Sequence, residues 1–145
     1  MKKKLIVSAC LLGENCRYDG KTKKADGVLK KFKDYEIIPF CPEAPLFGTP
    51  RERINVVLRG DEKRIITDET NIDVTERLRS EIESFIKKHP QADAVVLKSK
   101  SPSCGIGTTP ILDENKNILK YENGLAADIF LENFSTCNIF DENIN

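Results

Sequence analysis

Ala94-Val95-Val96-Leu97-Lys98-Ser99-Lys100-Ser101-Pro102-Ser103-Cys104-Gly105-Ile106-Gly107 is a short apolar run followed by a polar loop with a cysteine in it. Four consecutive apolar residues bounded by turn-formers read as a buried strand. Serines, a proline and two glycines then suit a tight loop, with backbone N–H groups expected to stay free and point at a ligand. Cys10 and Cys41 stand in the same setting, at the ends of the runs Leu5–Ala9 and Glu36–Phe40.

Working outward, Leu11–Gly20 carries loop residues, and Ala25–Phe32 reads as a helix capped by Asp26. The prolines at 42, 45 and 50 with Gly48 make the stretch after Cys41 a loop. Ile54–Leu58 and Arg64–Thr67 read as strands about a turn at Gly60-Asp61. Val74, Leu78, Ile82, Phe85 and Ile86 fall on one face of a helix over Asp73–Lys88, with Asp73 and Glu76 in a capping-box pattern and Pro90 as its stop. Thr109–Leu112 and Asn117–Tyr121 form a hairpin pattern, Gly124–Glu132 a short helix, Thr136–Phe140 a last strand, and residues 141–145 a polar tail.

Helices interspersed with strands predict a single α/β domain over residues 1–145, a three-layer sandwich with a mainly parallel or mixed sheet. In such sheets ligands bind outside the carboxyl ends of the strands. Cys10, Cys41 and Cys104 are therefore expected at one edge, with Glu43 and Ser101 in the same loops.

The 145 residues suffice for one hydrophobic core, and Lys+Arg and Asp+Glu both number 23. Zero net charge argues against a polyanion as the main partner, and it weakens the case for an RNA-borne substrate while leaving it open. The other cysteines are Cys16 and Cys137; five in all do not suggest a disulfide scaffold. Lys2–Lys4 followed by Leu5–Ala9 resembles a secretion signal, but this run is shorter than the roughly 7–15 residues an apolar signal core needs. With no stretch of membrane-spanning length either, a cytoplasmic protein is expected.

Three thiolates at one edge are a soft donor set, suited to zinc, copper(I) or an iron–sulfur cluster. The spacing matches neither paired zinc-ligand patterns nor ferredoxin patterns, so it does not choose among them. Three ligands on a four-iron cluster would leave one iron open to a substrate atom such as sulfur. A thiol-based sulfur-transfer or redox protein and a non-catalytic zinc-binding module are the competing readings. His89, before Pro90 at a helix end, suits the helix dipole better than catalysis.

Ser8-Ala9-Cys10-Leu11-Leu12-Gly13, Cys16-Arg17-Tyr18-Asp19-Gly20, Cys41-Pro42-Glu43, Thr49-Pro50-Arg51 and Lys98–Gly105, in this order, resemble the bacterial TudS desulfidase family. The resemblance covers Leu5 to about Leu131. It implies a Rossmann-like fold and removal of sulfur from a thiouracil-type base or nucleoside, giving the oxo base and hydrogen sulfide. It also implies a 4Fe–4S cluster held by Cys10, Cys41 and Cys104, with the free iron taking the thiocarbonyl sulfur. Glu43 is then the acid–base group that activates water, and Ser101 positions that water or relays a proton. Arg17, Asp19, Ser103 and Gly105 are candidate substrate contacts.

Overall fold

A computed structural model describes residues 3–12, 26–43, 52–134 and 138–143. Strand β1 (Lys4–Ser8) lies between β2 (Glu36–Phe40) and β5 (Ala94–Leu97), and β8 (Ile139–Asp141) flanks β5, giving the order β2-β1-β5-β8. All three pairings are parallel. Parallel central strands are covered on both faces, which is why Leu5–Ser8 and Ala94–Leu97 are buried at every position. Pro39 lacks a ladder donor and sits in β2, an edge strand, where that omission is tolerated.

The two faces of this sheet carry separate cores. Leu5, Val7, Ala94 and Val96 pack with Leu11, Val28 and Phe32, the last two on or beside helix α1 (Asp26–Lys31). Ile6, Val95 and Leu97 face the other way, against helices α2 (Thr75–Lys88) and α3 (Leu125–Asn133). The period-two alternation of strand side chains produces this division. Leu78 and Ile82 of α2 are wholly buried there, each contributing about 1.5–3 kcal/mol by the usual transfer scale.

The remaining strands form a second sheet. β3 (Ile54–Arg59), β4 (Glu62–Thr67), β6 (Thr109–Leu112) and β7 (Ile118–Glu122) run in the order β4-β3-β6-β7, with two antiparallel hairpins joined by a parallel β3–β6 pair. Ile54, Val56, Ile65 and Ile111 turn its inner face to the core that holds α2 and α3. The expected α/β fold with parallel and mixed pairing is observed; both hairpins belong to this separate sheet.

Three local expectations change. The capping box at Asp73 does not form: α2 begins at Thr75, and the Arg64 guanidinium takes the carboxylates of both Asp73 (2.8 Å) and Glu76 (3.2 Å). Asp73 Oδ1 accepts the Thr75 N–H instead. β1 stops at Ser8, and Ala9–Leu12 forms a 3-10 turn containing Cys10. Glu142 does not belong to a free polar tail, because β8 runs to Asp141 and the Glu142 side chain is tied to the loop after β5. No described helix is long and apolar enough to cross a membrane.

Candidate functional site

Parallel pairing of β1, β2 and β5 brings their carboxyl ends to one edge. Ser8 is opposite Phe40, and the N–H of Lys98, just past β5, donates to Ser8 Oγ at 2.9 Å. The chain leaves the edge through Cys10 in the 3-10 turn, through Cys41 directly after β2, and through the Lys98–Gly107 loop. The side chain of Cys10 lies outside the described residues, as do Cys16, Arg17, Asp19, Arg51 and Cys137.

Cys104 is buried and Cys41 partly exposed. Burial pushes the Cys104 thiol up to about 12, and the nearby Glu43 and Cys41 add to that rise; hydroxyls of Ser103 and Ser8 oppose it. These causes show that Cys104, Cys41, Glu43, Ser103 and Ser8 share one environment. Glu43, itself buried, accepts the Ser103 hydroxyl at 2.7 Å across 60 positions of sequence. Ser103 Oγ is also 3.6 Å from Cys104 Sγ and 3.3 Å from Ser101 Oγ. Cys41, Cys104, Glu43, Ser101 and Ser103 therefore stand together at this edge.

The loop is held by its own hydrogen bonds, and this corrects the expectation of free backbone donors. The Ser103 and Cys104 N–H groups donate to Ser101 Oγ, at 3.3 and 3.1 Å. Gly105 N–H donates to Ser101 O, Lys100 N–H to Thr108 Oγ1, and Gly107 N–H to Asn123 Oδ1. Buried amides carry a desolvation cost unless paired, and these pair within the loop and with its neighbours Thr108 and Asn123. Gly105 is consequently not a backbone donor to substrate. A side chain on it would collide with Thr108 and Thr109, so close packing is what requires glycine there.

Two residues at this edge were missed by sequence reasoning. Ser8 is one, a buried hydroxyl that accepts from Lys98 and acts on Cys104. Its place one residue before Ala9-Cys10 was visible, but not its reach to a loop 90 positions later. Glu142 is the other. It accepts both the N–H and the hydroxyl of Ser99 at 2.7 Å and pairs with Lys98 Nζ at 2.9 Å. Burial alone would raise its carboxyl, but Lys98 and Ser99 hold it below the ordinary glutamate range. His89 caps α2 with its N–H on Phe85 and Ile86 carbonyls, and its ring meets that of Phe85 at a tilt of 47°.

Among the described residues, no three of His, Cys, Asp and Glu are arranged to hold a metal ion by themselves. The donor chemistry still fits a soft metal centre, provided Cys10 contributes from its turn. Two thiols act on one another, and a bound metal deprotonates a coordinating thiol that burial alone keeps protonated. The Ser103 and Ser8 hydroxyls lie against the sulfur, the kind of contact that orients and tunes metal ligands.

The chain is similar to known proteins. The model of the 2-thiouracil desulfurase family matches residues 5–142. An uncharacterized protein, YbbK of Bacillus subtilis strain 168, is 34% identical over 113 residues, which is 71% of this chain and 74% of that one. The solved structure of the 4Fe–4S-dependent thiouracil desulfidase TudS superposes with a TM-score of 0.69 at 28% identity, covering 97% of this chain and 91% of that one.

Proposed function

The chain belongs to the 2-thiouracil desulfurase family, and from that premise we propose that it hydrolyses thiouracil-type bases or nucleosides to the oxo base and hydrogen sulfide. In the proposed site Cys10, Cys41 and Cys104 hold a 4Fe–4S cluster. When bound, the cluster supplies a Lewis-acidic iron suited to a thiocarbonyl sulfur.

The protein's own groups carry the remaining chemistry. Glu43 takes a proton from water as the water attacks the thiocarbonyl carbon, and later returns it to the departing sulfide. Ser101, at the mouth of the loop beside Ser103, positions that water. One water is consumed and one hydrogen sulfide released, so the conversion of C=S to C=O needs no external oxidant or reductant. Arg17 and Asp19 are proposed to contact the base.

The observation that carries this reading is the 2.7 Å bond from Ser103 to Glu43. A buried carboxylate bonded to the loop of a candidate ligand cysteine supports the reading of Glu43 as the general base, since neither a purely structural metal site nor a lone redox thiol requires one. The test is anaerobic reconstitution with iron and sulfide, followed by thiouracil. About four irons per chain and release of sulfide with uracil are expected. Glu43→Gln should retain the iron and lose about a hundredfold in kcat. Equal desulfidation by iron-free protein would overturn the proposal.

A further inference from the structure

The Ser103 hydroxyl stands where Glu43, Ser101 and Cys104 meet. Ser103 has no exposed surface, so its hydroxyl needs a partner inside the protein. A serine has one proton to give and two lone pairs to accept with. Among the described residues, three atoms compete for that proton: Glu43 Oε2 at 2.7 Å, Ser101 Oγ at 3.3 Å and Cys104 Sγ at 3.6 Å. Only the first distance is that of a firm O–H···O bond, and a carboxylate is the strongest acceptor of the three.

The backbone of Ser103 is also fixed. Its N–H donates to Ser101 Oγ, its carbonyl accepts the Ala126 N–H at 2.7 Å, and Gly124 packs directly on it. The N-terminal end of α3 thereby sets the position of this hydroxyl.

From this geometry we propose that Ser103 is the positioning residue of Glu43, rather than a contact to substrate. It commits its proton to Oε2 and fixes the carboxylate beside Ser101 and Cys104. Glu43 follows β2 by three residues, whereas Ser103 belongs to a loop anchored on α3, so this bond joins the two halves of the site. The inference rests on the function proposed above.

Ser103→Ala removes one oxygen and the donor. In the reconstituted holoenzyme, kcat for thiouracil should fall about tenfold, with KM changed less than about twofold and iron content unchanged. Glu43→Asp retracts the carboxylate from Ser103 yet keeps a base. In that background Ser103→Ala should cost less than about threefold, because the bond it breaks is already lost. An equal cost in both backgrounds would overturn the proposal, as would loss of iron or a decrease in kcat/KM that lies in KM. Wild-type holoenzyme that releases no sulfide would instead overturn the function itself, so the two failures are distinct.

Discussion

Glu142 grips Ser99 at both of its donors, with the N–H on Oε1 and the hydroxyl on Oε2, each at 2.7 Å. The same carboxylate meets Lys98 Nζ at 2.9 Å, so the residue after β8 anchors the start of the loop that carries Cys104. Glu142→Ala leaves a half-buried amide and ammonium without this partner and should cost about 1–3 kcal/mol in urea unfolding. Amide exchange across residues 98–107 should quicken more than exchange in α2. Uniform quickening would mean that Glu142 supports the whole fold rather than the loop.

Gly124 approaches the same loop from the other side. A Cβ there would lie 2.6 Å from the Ser103 carbonyl carbon and 2.9 Å from the Cys104 nitrogen, both backbone atoms that cannot swing aside. Gly124→Ala should destabilise the protein by about 1–3 kcal/mol and displace Ser103 and Cys104 together. Reduced iron uptake alongside the lower denaturation midpoint is the expected result. Unchanged uptake would show that the loop adapts.

The two described cysteines should differ in reactivity before any metal is added. Cys104 is buried with its thiol pushed up to about 12, so at pH 8 it stays protonated and shielded; Cys41 is partly exposed. Alkylation followed by mass spectrometry should label Cys41 well before Cys104, since the thiolate is the reactive form. Reconstitution should then protect both. Faster labelling of Cys104 would contradict the burial on which the site rests.

Acid stability should depend on Asp73. Burial works against its charge, yet Arg64 and Thr75 lower its pKa from 3.8 to about 2. A carboxyl with a depressed folded pKa stabilises the protein while ionised, and that contribution disappears as it protonates in the folded state. Wild-type stability should therefore fall between pH about 4 and about 2 by more than that of Asp73→Asn, measured by urea midpoints at each pH. The neighbouring Arg64→Met variant should show the same flattening. Parallel curves for all three proteins would refute this.

The site was legible in the sequence to the extent that strand ends are. Cys41 directly follows β2 and Cys104 lies in the loop after the buried β5, and parallel pairing puts both at one edge, as the alternation of strands and helices implies. Hydrogen-bond allocation was not legible. The glycines and serines after β5 suggested free N–H groups, but these donate to Ser101, Thr108 and Asn123, since buried amides must be paired within the loop or by its neighbours. Asp73 and Glu76 had the spacing of a capping box, and a hairpin arginine from outside the helix claimed both. Local pattern loses when a distant charge offers a stronger partner.

By itself the sequence determined the elements and their chemistry: the apolar runs that must be buried strands, the amphipathic face of Val74–Ile86, and the motifs that resemble a desulfidase family. These depend on periodicity and residue type, which a chain carries before it folds. Only the tertiary structure decided that both hairpins form a second sheet, that Glu142 is an anchor, and that Ser103 gives its proton to Glu43. Each of these joins groups tens of residues apart, and distances between such groups are set by packing. No spacing in the chain encodes them.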